Sequence, residues 1–142
     1  MRLTNFSDYA LRLLMYAGAQ DGRLITIEET ARVYGISRTH LMKVANLLTR
    51  AGYLTAVRGR TGGLVLAREP TAIRLGDVVR ATEPDFVLAE CFSPDGACAI
   101  TQRCRLRRVL REALQAFSAT LDKYTLDDLL LRPEDFGIAP AA

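Results

Sequence analysis

The chain has three cysteines, Cys91, Cys98 and Cys104, and all lie in the fourteen-residue stretch CFSPDGACAITQRC. Thiolates are ligands for soft metals and iron–sulfur clusters, and such sites need several sulfurs gathered by a short loop. Pro94, Asp95 and Gly96 are turn formers that let the first interval double back. The odd count leaves one thiol over if the other two pair as a disulfide. The stretch reads as a three-thiolate ligand set that needs a fourth donor from elsewhere. Zinc would ask for one more ligand to complete a tetrahedron. An iron–sulfur cluster would accept a donor of another type.

The elements that must hold this loop follow from composition and patterning. A length of 142 residues predicts one compact unit with an appended arm. Hydrophobic residues make up 49% of the chain, enough for a core. No apolar run approaches the ~20 residues a bilayer crossing needs, so no membrane partner is expected. The start, MRLTNFSDYALRLLMYAGAQDGR, is amphipathic and has no uninterrupted apolar stretch of the kind a signal peptide carries. A cytoplasmic setting is expected, where thiols stay reduced and clustered cysteines point to metal.

Net charge is +3, unevenly spread. Residues 1–70 carry ten Lys/Arg against five Asp/Glu, a net of +5, and residues 71–142 carry nine against eleven, a net of −2. The first half is thus the candidate for a polyanion partner. The plainer reading is that these charges only solubilise the surface. The order of the elements argues against it.

Thr4 or Asn5 can cap a first helix whose apolar face is Phe6, Tyr9, Ala10, Leu13, Leu14 and Ala17, with Gly22 past its end. Thr26 opens a second helix with Glu28 and Glu29 in its first turn, and Gly35 stops it. Ser37 caps a third helix with Leu41, Val44, Leu47 and Leu48 inward. Two short helices joined at Gly35-Ile36-Ser37 form the helix-turn-helix pattern. Tyr53–Val57 and Leu64–Leu66 then read as strands around the turn Arg58-Gly59-Arg60-Thr61-Gly62-Gly63.

The expected fold is mainly α with a small β-hairpin: a winged helix-turn-helix over residues 1–70. Ser37, Arg38, Thr39, His40 and Lys43 would face the major groove of double-stranded DNA. Arg58 and Arg60 at the wing tip would suit a narrow minor groove. His40 lies beside Arg38 on an exposed helix start, far in sequence from the cysteines, which favours DNA over metal.

Residues 71–105 read as a linker helix, Ile73–Thr82, ended by Pro84, and the cysteine loop. Residues 106–132 read as a long helix and a short terminal one, and residues 133–142 as a frayed tail. Leu106, Val109, Leu110, Ala113, Leu114, Phe117, Leu121 and Tyr124 recur at helical spacing. So long a stripe exceeds what one small core can cover, and a second copy of the chain is its simplest partner. The alternative is a helix folded back on its own domain. Arg103, Arg105, Arg107, Arg108 and Arg111 crowd the helix start, where cations oppose the dipole and an anion would relieve them.

A winged helix, a three-cysteine loop and a long helix directly after it resemble the Rrf-two superfamily of bacterial regulators. The blocks MRLTNFSDYALRLLMYA, GISRTHLMKVANLLTRAGYLTAVRGRTGG and CRLRRVLREALQAFSATLDKYTLDDLL carry the likeness over nearly the whole chain. The nearest group is that of the nitric-oxide-sensitive repressor NsrR. That resemblance implies a homodimeric, cytoplasmic repressor on a pseudo-palindromic operator. It also implies a 4Fe–4S cluster, with 2Fe–2S as the variant, and nitric oxide as the signal.

The same likeness assigns Cys91, Cys98 and Cys104 as ligands and makes Asp8, donated across the dimer, the fourth. Asp8 also has a plainer role as an acid at a helix start. The IscR group uses a histidine three residues past its last cysteine, and Arg107 stands there in this chain. The iron-responsive group of RirA has a similar loop and supplies an alternative signal. A structural zinc protein and a small electron carrier are readings of other kinds. No Ser-His-Asp set, phosphate-binding glycine loop or spare histidine base points to an enzyme.

Overall fold

The computed structural model describes residues 1–137. Helices α1 (Asn5–Ala19), α2 (Ile27–Tyr34) and α3 (Arg38–Arg50) are followed by strands β1 (Leu54–Val57) and β2 (Gly63–Leu66). Helix α4 (Leu75–Thr82) leads into the cysteine loop, and α5 (Arg105–Leu121) follows it. Short 3-10 turns lie at Pro70–Ala72, Glu90–Phe92, Leu126–Leu129 and Pro133–Phe136. The chain is thus mainly α with a β-hairpin wing, as its sequence implies.

Each helix of the head starts on a hydroxyl. Thr4, Thr26 and Ser37 accept from the backbone N–H groups of Ser7, Glu29 and His40, filling donors that a helix start leaves open. Gly35 ends α2 in the left-handed region, at φ 66°, where a β-carbon would be strained.

The apolar faces meet in one core that includes Leu13, Leu14, Ile25, Val44, Leu48 and Leu54. The wing pairs antiparallel, with Leu54 opposite Leu66 and Val57 opposite Gly63. It is anchored by a third pairing, in which Ile25 and Leu64 exchange backbone hydrogen bonds of 2.9 and 2.7 Å. A β-carbon on Gly63 would lie 2.5 Å from the Ile25 carbonyl oxygen, so that approach requires glycine.

Beyond α5 the chain returns to the head. Leu126 N–H donates to the Ile73 carbonyl at 2.8 Å, and Leu75 N–H donates to the Tyr124 carbonyl at 3.0 Å. Leu126 is fully buried in the core. This pairing holds Ile73 extended, so α4 begins at Leu75 and not at Ile73. The frayed tail expected from residue 133 does not describe residues 133–136. Pro133–Phe136 forms a 3-10 turn, and the Phe136 ring packs edge-on to Tyr16 and Tyr34 at 5.4 and 6.1 Å. The rest of the expected tail, residues 138–142, lies outside the described residues. Burial pushes the Tyr34 phenol up to about 12, so it stays protonated and donates to the Arg12 carbonyl at 2.8 Å.

Candidate metal loop and nucleic-acid interface

Helix α4 connects the head to the loop. At its C-terminal end, Thr82 shares a 2.7 Å hydrogen bond with Ser7. Next to it, Glu83 accepts from the Thr4 backbone N–H at 2.8 Å and from the Thr4 hydroxyl at 2.9 Å. Burial alone would raise the Glu83 carboxyl. Donation from Ser7 and from the backbone and hydroxyl of Thr4 outweighs it and leaves the pKa below the usual value. On the outer face of α4, Arg80 pairs with Asp77 at 2.8 Å and with Asp122, the residue that caps α5. The start of α1 and the end of α5 are therefore both fastened to the helix that leads into the cysteine loop.

The loop runs from Asp85 to Cys104. Its first turn behaves as the Pro-Asp-Gly signal implies. Gly96 N–H donates to the Ser93 carbonyl at 3.1 Å, and Ala97 N–H reaches back to the Glu90 carboxylate at 3.2 Å. A β-carbon on Gly96 would collide with the Glu90 carbonyl, so the doubling back depends on glycine. Cys98 sits in a second turn, its carbonyl accepting from the Thr101 hydroxyl at 2.9 Å. Cys104 is the N-terminal cap residue of α5. Arg107, in the first turn of α5, donates from Nε to the Cys91 carbonyl at 3.2 Å and lies over the Phe92 ring at 5.9 Å.

All three thiols are free, Cys98 exposed and Cys91 and Cys104 half-buried. Among the described residues, no three Cys, His, Asp or Glu side chains are drawn together closely enough to hold a metal ion. The donor chemistry suits a soft centre all the same: three uncommitted thiols share one loop, and the residues of the outer two, Cys91 and Cys104, both meet the start of α5. Gathering them asks the exposed middle of the loop, around Cys98, to fold inward.

Asp8 lies in the first turn of α1 and is engaged by its own helix. Arg12 donates to its two oxygens at 3.0 and 2.9 Å, and Asp8 keeps 41% side-chain exposure. Within one chain it does not join the cysteines in a ligand group.

At the start of α5, Arg103, Arg105, Arg107, Arg108 and Arg111 line a shallow depression of about 350 Å³ together with Cys104. None of these five arginines has an acidic partner among the described residues. The helix itself has no buried residue: Leu106 and Val109 are 62% and 57% exposed, and Phe117 is exposed as well.

On the head, Ser37, Arg38, Thr39, His40 and Lys43 are all exposed along the start of α3, and Arg58 and Arg60 are exposed at the wing tip. Arg38 is held by Glu28 at 3.1 Å, both side chains 63% exposed, so water competes for that pair. His40 lies 6.3 Å from the Tyr9 ring. Sequence reasoning missed Arg68. It donates to the carbonyls of Gly52 and Ala51 at 2.9 and 3.2 Å and stacks 4.6 Å over Tyr53, closing the end of α3 against the wing.

No described helix is long and apolar enough to cross a membrane. The family model described as an iron-dependent transcriptional regulator, Rrf2, matches residues 3–132. A transcriptional regulator of Listeria innocua superposes with a TM-score of 0.74 at 28% identity, covering 91% of this chain and 85% of that one. CymR, the global cysteine regulator of B. subtilis, gives 0.68 at 28% identity, covering 91% and 95%. The IscR of T. potens gives 0.71 at 26% identity, covering 99% and 94%. A match over nearly the whole length, with the winged head in place, assigns this chain to the Rrf2 family of DNA-binding transcriptional regulators, which are not enzymes.

Proposed function

We propose that the chain is a dimeric, cytoplasmic transcriptional repressor that senses nitric oxide through an iron–sulfur cluster held by Cys91, Cys98 and Cys104. The observation that carries this reading is three free thiols on one loop, between an anchored α4 and an α5 with no buried residue. An exposed apolar stripe with Leu106, Val109 and Phe117 on it needs a cover, and a second α5 across a two-fold axis supplies one. Two heads related by that axis present two copies of α3 to half-sites about one helical turn apart.

The fourth ligand is the partner subunit's Asp8. To reach a neighbouring loop, the carboxylate leaves Arg12, whose fork is exposed enough for water to compensate it. When bound, a 4Fe–4S cluster would be held by Cys91, Cys98, Cys104 and the partner's Asp8, and would supply iron that reacts with nitric oxide. The protein's part would be to set what loss of the cluster releases. Asp8 returns to Arg12, α1 is no longer tied to the partner's loop, and the spacing of the two recognition helices relaxes. Because Thr4, Ser7, Thr82 and Glu83 join α1 to α4, any displacement of α1 is shared with the base of the loop.

The second reading is an iron-responsive regulator with the same ligands, favoured by the iron-dependent description of the family model. Purification of the full chain without oxygen tests what the two readings share. Wild type is expected to carry iron and sulfide in about equal amounts, and each single Cys→Ala variant to lose them while staying folded. A colourless wild-type protein that holds zinc would overturn both readings.

A further inference from the structure

We propose that Arg107 is the positioning residue of the cysteine loop. It fastens Cys91 to the first turn of the helix that Cys104 caps, so the outer two ligands are brought to one place before any metal arrives. The proposal deepens the cluster reading and rests on it for its biological purpose, while its geometry stands in the metal-free chain.

The loop has little else to hold it. Among the described residues, its other hydrogen bonds are local: Val87 to Asp85, Phe92 to Ala89, Ser93 to Glu90, Asp95 and Gly96 to Ser93, Ala97 to Glu90, Thr101 to Cys98 and Arg103 to Ile100. The longest of these spans seven residues. The bond from Arg107 Nε to the Cys91 carbonyl spans sixteen and, among the described residues, is the one hydrogen bond that joins the loop to α5. Phe92, the neighbour of Cys91, adds a face for the same guanidinium at 5.9 Å. A planar group that donates along one edge and stacks on its face fixes direction as well as distance, which an ammonium does not do.

The choice of a cation here has its own reason. The start of α5 already holds Arg103, Arg105, Arg108 and Arg111 with no acidic partner among the described residues, and the helix dipole adds to that positive field. A fifth guanidinium in the first turn opposes helix formation unless a contact offsets it. The carbonyl of Cys91 and the ring of Phe92 are that contact. The remaining four cations line the depression that Cys104 shares.

Closure of the loop can be read without metal. In a Cys98→Ser background only Cys91 and Cys104 remain. The full chain, metal-free and reduced, is treated with a short bis-maleimide, and the rate of intramolecular cross-linking is divided by the rate of labelling with N-ethylmaleimide. With Arg107 present, cross-linking is expected about five- to tenfold faster than in Arg107→Gln, the worth of one charge-assisted hydrogen bond. Arg107→Lys, which keeps the charge and loses the fork, is expected to behave like Arg107→Gln. Equal rates in all three, or full rescue by lysine, would overturn the positioning role.

Arg107 lies on a helix with no buried residue, so both variants should fold, and circular dichroism checks this. Cadmium, followed by its thiolate absorbance in the three-cysteine chain, gives a second readout. Its affinity should fall by a similar factor in both variants with unchanged stoichiometry, and an unchanged affinity would count against the proposal. Failure of the wild type to assemble an iron–sulfur cluster would sink the functional reading alone, since the cross-linking comparison contains no iron.

Discussion

Asp8 and Arg12 stand one turn apart on α1 and close on each other as a fork, at 3.0 and 2.9 Å. The pair gives Asp8 two roles that exclude one another: partner of its own helix, or ligand of a neighbour's loop. An exposed pair of this spacing contributes only ~0.3–0.5 kcal/mol, so the exchange is cheap.

Asp8→Ala should therefore leave thermal stability almost unchanged. Its cluster should still assemble on three thiolates, but with an altered spectrum, faster loss and weaker operator binding. A mixed dimer locates the ligand. One subunit lacks Asp8 and its partner lacks all three cysteines. Donation across the dimer restores one wild-type site, whereas a site matching the Asp8→Ala homodimer would place Asp8 within its own chain or outside the ligand set.

The α1–α4 fastening makes a pH prediction. The Glu83 pKa is lowered in the folded state, so its stabilisation is fully present above the ordinary value of 4.5 and fades as pH falls through the folded value. Glu83→Gln should cost about 1–2 kcal/mol at neutral pH. It should also flatten the acid limb of stability below pH 4.5, measured by urea unfolding at several pH values. An acid limb identical to wild type would exclude Glu83 as its source.

Base reading and backbone contact separate by specificity. Arg38→Ala and Lys43→Ala should weaken operator binding by about 1–3 kcal/mol and random DNA by less. Arg60→Ala should lower affinity more evenly and reduce the salt slope by about one. Equal losses on operator and random DNA for all three would leave α3 with phosphate contacts only.

The exposed stripe of α5 predicts the oligomer. Val109→Glu combined with Leu106→Glu should give a monomer by sedimentation with its far-ultraviolet spectrum retained, because neither residue contributes to the core. A dimer that survives both changes would move the interface elsewhere.

Much of this architecture was legible because its signals are local. Thr26, Ser37 and Gly35 mark helix ends within three residues of the groups they satisfy, and the glycine-rich turn marks the wing. What escaped notice joins distant residues. Leu126 enters the core beside Ile73, and Phe136 closes on Tyr16 and Tyr34, across more than fifty and one hundred residues respectively. No periodicity records such pairings. Pro133 and the closing APAA read as a tail because local propensity does not register where Phe136 docks. The loop was half legible: Gly96 marks its turn, but the Arg107 fastening depends on a backbone carbonyl, which any residue at position 91 would offer.

Nitric-oxide titration of the anaerobic, cluster-loaded dimer, with visible absorbance and operator anisotropy recorded in the same cuvette, tests the central claim most directly. Bleaching of the cluster and release of the operator should proceed together, at a few equivalents of nitric oxide per cluster, and an iron chelator alone should release the operator far more slowly. Full bleaching with the operator still bound, or prompt release by the chelator with no effect of nitric oxide, would contradict the account.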